Sequence, residues 1–478
     1  MASATPLCDL GLIGLGTMGR NLALNITDHG FRLAVYNRTP AKTQEFLAAA
    51  AGRPLAAASD LQEFIRQLQK PRTILLLVAA GPPVDEIIAA LRPHLEPGDL
   101  LIDAGNSFFR DTDRRLRELA TAGLLFLGLG VSGGEVGARY GPSLMPGGPR
   151  EAFARLQPLL EAIAAKVGGE PCVGYVGQGA AGHYVKMVHN GIEYGLMQLL
   201  AEAYDLLRFG LGLDHDALHR VFAQWNREEL ASYLVEITAG IFLQPDDRTG
   251  GRLLDAILDV AGDKGTGVWT SQEAMDLRVP VPNIDAAVSL RALSGLKGER
   301  QAAAAVFPGS TSHPSLAGPD FPGRLKPALL AGMIITFAQG LALLRTASQR
   351  YGYELQLPQV AKIWRGGCII RAALLEDLYA ALQDEPELPN LLLSARLRPQ
   401  LVAACPRLQE VVAAASLAGF PVPGLAAALN YFQAYRRAQL PVNLIQAQRD
   451  WFGAHTYERL DAPGRFHTHW QQLTAPDR

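Results

Sequence analysis

Residues 7–36 leave the chain little choice of fold. The apolar run Leu7–Ile13 ends in Gly14-Leu15-Gly16-Thr17-Met18-Gly19, then a helical pattern follows through Asn21–Ile26. A second apolar run, Leu33–Tyr36, lies beyond it. A GxGxxG alone is a common turn. Framed by strand, helix and strand, it predicts a βαβ unit that binds a dinucleotide. The glycines permit the tight turn and a close approach of backbone to pyrophosphate. The helix N-terminus adds unpaired N–H groups and a positive dipole end.

The second strand ends in Asn37-Arg38-Thr39. An acidic residue there would accept from the ribose 2′-hydroxyl of NAD, and this chain has none. Arg38 can instead face a 2′-phosphate, with Asn37 and Thr39 as neutral hydrogen-bonding neighbours. The cofactor expected is NADP. The plainer reading makes Arg38 a surface charge.

Further apolar runs at Thr73–Val78, Leu100–Asp103 and Leu124–Gly128 alternate with helical patterns. Continuous rather than alternating apolar runs fit a doubly wound, mostly parallel α/β sheet covered on both faces. Ligands in such sheets sit beyond the C-terminal strand ends. The 478 residues suffice for two or three domains. A net charge of −2 gives no basic field for nucleic acid. Cys8, Cys172, Cys368 and Cys405 are widely spaced, which suits a reducing cytoplasm and no metal knuckle. The N-terminus shows no secretory pattern. Ala328–Leu344 is apolar, yet Thr336 and Gln339 favour a buried core helix over a membrane span.

The stretch Gly182–Tyr194 carries the chemistry. Lys186, His189, Asn190, Glu193 and Tyr194 fall at i, i+3, i+4, i+7 and i+8. At about 100° per residue they share an arc of roughly 140°. Val185, Val188 and Ile192 occupy the other side. A solvated face would explain the charges but not His, Asn and Tyr among them. A helix buried on both sides, its polar face lining a cavity, makes Lys186 and Glu193 a candidate acid–base pair.

Gly130–Gly148 follows a strand end and holds Ser132-Gly133-Gly134, a hydroxyl with bare backbone N–H groups that suits an anion. From Gly179 onward the pattern is helical, with segments at Gln198–Leu207, Ala217–Trp225, Leu253–Leu258, Ala286–Leu296, Leu329–Leu344 and Arg371–Leu382. Phe209-Gly210 and Tyr351-Gly352 each close one helix before another that ends near Trp225 or Trp364, which hints at a duplicated unit. Asp263-Lys264-Gly265-Thr266-Gly267 combines a cation, a hydroxyl and two glycines as phosphate sites do, or is a simple helix–helix turn. Arg291 lies in an apolar helix and needs an anionic partner, a ligand phosphate or a carboxylate. After Pro441 the chain is aromatic and basic, too rich in Trp, Phe and Tyr for a disordered tail. The expected domains are 1–178, 179–440 and a tail over 441–478.

Taken together, these motifs resemble the 6-phosphogluconate dehydrogenases, decarboxylating NADP enzymes of the pentose phosphate pathway. The resemblance runs from Gly14 to Trp470 and rests on Asn37-Arg38-Thr39, Gly130–Gly134, Lys186–Tyr194, Lys264–Gly267 and the tail around Arg449 and His455. It implies a Rossmann-type domain, a large all-helical domain, and a tail that reaches a partner subunit in a homodimer with shared active sites. It implies an NADP site at Gly14, Gly16, Met18, Gly19, Asn37, Arg38, Thr39, Val78, Ala79, Ala80 and Asn106. Lys186 is implied as the general base and Glu193 as the acid. Asn106 and Asn190 would orient substrate and nicotinamide. Ser132, Gly133, Gly134 and His189 would hold the carboxylate end of a phosphorylated sugar acid. Tyr194, Lys264, Thr266 and Arg291 would hold its phosphate, completed by Arg449 and His455 of the partner subunit. No metal is implied, nor any membrane or nucleic-acid partner. Gly16, Ala79 and Val268 depart from the family's usual residues, and Ala79 puts one cofactor or substrate contact in question. The rivals are a non-decarboxylating 3-hydroxyacid dehydrogenase and a catalytically silent NADP-binding protein.

Overall fold

In the computed structural model the chain is described for residues 6–307, 316 and 320–470. It divides into two compact units, Met1–Leu429 and Asn430–Arg478. The first unit opens with a seven-stranded sheet. Its strands are β1 (Leu10–Ile13), β2 (Leu33–Tyr36), β3 (Leu55–Ala57), β4 (Thr73–Leu76), β5 (Leu100–Asp103), β6 (Leu125–Ser132) and β7 (Ser143–Gly147). The order is β3-β2-β1-β4-β5-β6-β7. All neighbours pair parallel except β6 and β7, which are antiparallel. Strands β1, β4 and β5 are fully buried, which is why their sequences read as unbroken apolar runs. One apolar layer forms around Leu12, Leu22, Val35 and Ile102, and another around Ile13, Phe64, Ile74 and Phe126, on the two sides of the sheet. This is a Rossmann-type sheet, as expected, and its strand order reverses between β1 and β4.

Two strands of this sheet were not legible from the sequence. Strand β3 has three half-buried residues, too few to show a period. Strand β7 lies inside Gly130–Gly148, where glycines and prolines hide it. The same segment also extends β6 to Ser132 and forms a short helix, Gly134–Tyr140.

Beyond the sheet the unit is helical. Its centre is α1 (Ala181–Asp205), prolonged by a π-turn over Leu206–Gly210, so that the helical signal at Gln198–Leu207 is its continuation. Beside it run α2 (Thr266–Asp276), α3 (Pro282–Gly295) and α4 (Phe321–Tyr351). The π-turn is followed by a helix over His215–Trp225, and α4 by one over Leu357–Trp364. Each long helix therefore precedes a short one that ends on a tryptophan. Helix α4 is long and apolar enough to cross a membrane, but 83% of its most apolar window is buried inside the protein. A polar seam explains how it packs. Gln339 Nε2 donates to Asn283 Oδ1 (2.8 Å), and Asn283 Nδ2 donates to Thr336 Oγ1 (3.2 Å).

The second unit contains α5 (Val442–Gly453) and a short antiparallel pair, Tyr457–Glu458 with Arg465–Phe466. Its organiser is Asp450, fully buried. The carboxylate accepts from Thr456 N (2.9 Å), Thr468 N (3.0 Å) and Trp470 Nε1 (2.9 Å), and lies 3.0 Å from His467 Nδ1. Trp451 and Trp470 pack at 5.5 Å between ring centroids.

Candidate active site

The dinucleotide turn is built as its glycines require. A Cβ on Gly14 would meet Leu77 O at 2.3 Å, and one on Gly19 would meet Gly14 O at 1.9 Å. A Cβ on Gly16 would meet nothing within 4 Å, so the outer side of the turn has room for a diphosphate. Gly16 caps the helix Thr17–Asp28, whose first N–H groups face that space and whose Met18 is half-buried. Asn37 braces the turn. Its Oδ1 accepts from Leu15 N (3.0 Å) and its Nδ2 donates to Thr39 O (3.2 Å). Arg38 and Thr39 are exposed, and among the described residues Arg38 has no ion-pair partner. These residues fit NADP: a bare glycine turn at a helix N-terminus, and a free guanidinium where a 2′-phosphate would lie.

Val78, Ala79 and Ala80 follow β4, and Asn106 follows β5, at the same C-terminal edge of the sheet. The loops are pinned from below. Asp103 Oδ2 accepts from Ser107 Oγ (2.6 Å) and Arg115 Nη1 (3.3 Å), and Oδ1 accepts from Gly105 N (3.0 Å). Arg115, only 1% exposed, also donates to Gly81 O (3.0 Å) and, through Nε, to Asp85 Oδ1 (2.8 Å). That pairing holds the Asp85 carboxyl down at about 2.

Helix α1 meets the sheet backbone to backbone. A Cβ on Gly182 would lie 2.2 Å from Gly128 O, and one on Gly147 would lie 2.1 Å from Gly182 N. Gly130 sits against Lys186, where a Cβ would meet the Lys186 Cβ at 2.7 Å. The five polar residues of the helix therefore start beside the end of β6. Lys186 Nζ donates to Asn190 Oδ1 (2.5 Å). Burial lowers the Lys186 pKa, against the pull of Glu193. His189 is fully buried, with Nε2 3.3 Å from Ser132 Oγ and Nδ1 3.9 Å from Glu193 Oε2. Burial, with Lys186 adding to it, holds this imidazole neutral. Burial raises the Glu193 carboxyl, with Lys186 and Arg291 opposing. Burial thus moves each member of the candidate acid–base pair toward its uncharged form. Gly133 is half-buried and Gly134 exposed at the end of β6, next to Ser132.

The other end of the polar face meets a second cluster. The Arg291 guanidinium lies 3.4 Å from the centre of the Tyr194 ring, and its Nη1 donates to Gly262 O (3.4 Å). Among the described residues Arg291 has no carboxylate in salt-bridge range, so its anionic partner is not a side chain there. Gly265, in the left-handed region at φ 89°, caps α2, and Thr266 is its buried first residue. Lys264 is exposed on the same turn. A Cβ on Gly267 would lie 2.4 Å from the Tyr194 ring, which sets the start of α2 against Tyr194 and Arg291. Arg449 and His455 stand in the second unit, both exposed. Arg449 donates to Gln446 Oε1 (3.1 Å), and His455 packs edge-on to Phe452.

Comparisons with known proteins follow this arrangement. Residues 9–177 match the NAD binding domain of 6-phosphogluconate dehydrogenase, and residues 182–470 match the 6-phosphogluconate dehydrogenase C-terminal domain. The chain belongs to the 6-phosphogluconate dehydrogenase family. An NADP(+)-dependent, decarboxylating 6-phosphogluconate dehydrogenase of Bacillus subtilis is 51% identical over 97% of this chain and 99% of its own length. The decarboxylating 6-phosphogluconate dehydrogenase of Escherichia coli is 48% identical over 96% of this chain and 98% of its own. A solved 6-phosphogluconate dehydrogenase of Plasmodium falciparum superposes with a TM-score of 0.94 at 43% identity, covering 97% of this chain and all of that one.

Three features of the structure are not evident from the sequence. Arg115 sits in Asp113-Arg114-Arg115-Leu116-Arg117, where nothing separates the one buried arginine from half-buried Arg114 and exposed Arg117. Thr270 Oγ1 ties α2 to α1 by donating to Met187 O (3.0 Å). Asp450 looked like one charge among several in the tail.

Proposed function

We propose that this 6-phosphogluconate dehydrogenase oxidises 6-phospho-D-gluconate with NADP and releases CO2 and D-ribulose 5-phosphate. The observation that carries the reading is the single buried helix face bearing Lys186 and Glu193, with the dinucleotide sheet at one end and the Tyr194–Arg291 cluster at the other. The decarboxylating relatives match at full length, which favours this reading over a non-decarboxylating hydroxyacid dehydrogenase. A silent binder would need neither Lys186 nor Glu193.

NADP, when bound, supplies the acceptor for the hydride that leaves substrate C3. Gly14, Gly16, Met18 and Gly19 would hold its diphosphate, Arg38 and Thr39 its 2′-phosphate end, and Val78, Ala79, Ala80 and Asn106 its nicotinamide side. Lys186, favoured in its neutral form by burial, takes the proton of the C3 hydroxyl. The product is a 3-keto acid whose carboxylate is β to the ketone. Protonated Lys186 stabilises charge on the ketone oxygen while the C1–C2 bond breaks and CO2 departs. Glu193, favoured in its protonated form by burial, then delivers a proton to the carbon that lost CO2. Ser132, Gly133, Gly134, His189 and Asn190 hold the carboxylate end and the hydroxyls. Tyr194, Lys264, Thr266 and Arg291 bind the phosphate.

The same reading makes the chain a cytoplasmic homodimer in which Arg449 and His455 of each tail complete the other subunit's phosphate site. In its support, the second unit exposes Leu444, Ile445, Trp451 and Phe452. All four cysteines are buried thiols outside any disulfide, as suits a reducing compartment. The domain division is proposed as 1–178, 179–440 and 441–478. In its favour, β7 ends at Gly147 and α1 begins at Ala181; the second compact unit starts somewhat earlier than 441, at Asn430.

The test is NADPH formation from 6-phosphogluconate with CO2 counted in parallel. One CO2 per NADPH is expected. NADPH without CO2 would return the assignment to the non-decarboxylating rival, and no NADPH from folded protein would return it to a silent binder.

A further inference from the structure

The phosphate turn and the nicotinamide loop are joined by two aromatic rings. Trp269 lies one turn into α2 and is half-buried. A Cβ built on Gly265 would lie 3.4 Å from its indole, so the ring covers the Lys264-Gly265-Thr266 turn. On its other side Trp269 meets Phe108, with 4.9 Å between ring centroids. Phe108 is two residues past Asn106. The loop between them is stiff, because Ser107 and Gly105 both donate to Asp103. One helical turn further along, Arg110 Nη2 donates to Glu273 Oε2 at 2.9 Å, and the buried Glu273 also accepts from Tyr351 OH. Helix α2 is itself locked to the Lys186 helix by Thr270. A shift of the phosphate turn therefore has a packed route to Asn106 that bypasses the acid–base pair.

We propose that Trp269 is a positioning residue that couples occupancy of the phosphate turn to the cofactor site through Phe108. The inference rests on the reading of Lys264 and Thr266 as phosphate ligands. Its consequence is that phosphate binding sets the geometry of the Asn106 loop as well as holding substrate. Remote binding energy then appears at the reacting centre.

The experiment measures NADPH affinity of the intact enzyme with and without saturating 6-phosphogluconate, a pair that cannot react. The wild-type ratio of the two dissociation constants is expected to differ from one by at least ~5-fold, the usual lower bound for coupling between sites. Trp269→Ala should bring the ratio close to one while each ligand still binds alone. Trp269→Phe, which keeps a ring against Phe108, should retain most of it. Phe108→Leu tests the same contact from the other side and stands in if Trp269→Ala does not fold. A merely structural tryptophan would shift both constants together and leave their ratio unchanged. An undiminished ratio in Trp269→Ala, or in Phe108→Leu where that variant stands in, would overturn the proposal, as would a wild-type ratio of one. Lys264→Ala checks the underlying reading separately. If it leaves 6-phosphogluconate affinity intact, the phosphate assignment fails whatever the ratio shows.

Discussion

Gly191→Ala sets two effects of known size against each other. Gly191 lies inside α1, where alanine is favoured over glycine by about 1 kcal/mol of helix propensity. Propensity alone therefore predicts a more stable protein. The packing predicts otherwise. A Cβ there would lie 2.6 Å from Thr270 Cγ2 and 2.9 Å from Thr270 Cβ and Oγ1, where ordinary contact begins near 3.4 Å. Either α2 retreats by roughly 0.8 Å, the shortfall in that contact, or Thr270 turns and loses its bonds to Met187 O (3.0 Å) and Thr266 O (2.9 Å). Overpacking of this kind costs about 1–3 kcal/mol, so the net change is a destabilisation of about 1 kcal/mol. The larger effect falls on function. Retreat of α2 carries Thr266 and Lys264 away from Tyr194 and Arg291. A misplacement near 1 Å can cost up to ~10²-fold in rate, so kcat/KM for 6-phosphogluconate should fall by about 10- to 100-fold. The assay is steady-state NADPH formation together with thermal unfolding. Thr270→Ala on the same background removes the 2.6 Å contact and should restore part of the loss. A Gly191→Ala protein that unfolds at higher temperature and keeps its kcat/KM would refute the packing argument.

Lys186→Met should retain substrate binding and lose at least ~10²-fold in kcat, the usual scale for a general base; near-normal turnover would remove Lys186 from that role. Glu193→Gln should slow the final protonation, seen as slower formation of ribulose 5-phosphate; an unchanged rate and product would remove Glu193 from that role. The pH profile has a defined sign. Lys186 works as the free amine, so kcat/KM rises with pH on a limb centred below the ordinary lysine value of ~10.4, because burial lowers its pKa. A limb at or above that value would mean the amine is not desolvated in solution. Arg38→Glu should cut the preference for NADP over NAD by about 10- to 100-fold, the loss of one or two charge-assisted hydrogen bonds; an unchanged ratio would show that Arg38 faces water.

The parts of this protein that the sequence exposes are those where local chemistry repeats or is rare. The βαβ start needs its glycines at fixed offsets, and the polar face of α1 needs five residues at helical spacing in an otherwise apolar stretch. Both could be read directly. Strand β7 could not, because Pro142, Pro146 and three glycines around it imitate a loop, and its antiparallel partner β6 is joined to it through a short helix and not through a tight turn that would mark a hairpin. The burial of Arg115 was equally hidden. It depends on Asp85 and Asp103 converging from two other elements, and no spacing within the helix records that. Arg291 lay between. Its helix is apolar enough to flag it, but only the fold puts it on Tyr194 instead of a carboxylate.

The contact between α1 and the β6–β7 pair has a mechanical consequence. Main chain touches main chain at Gly128, Gly147 and Gly182, with no side chain between to act as a bearing. Such a joint cannot slide or roll without atoms colliding, so the lysine and the sheet that carries the dinucleotide turn should travel as one piece. Any opening that admits substrate must then hinge elsewhere. A pair of spectroscopic probes placed across α1 and β6 should report a constant separation through turnover, and a separation that changes would refute the rigid joint.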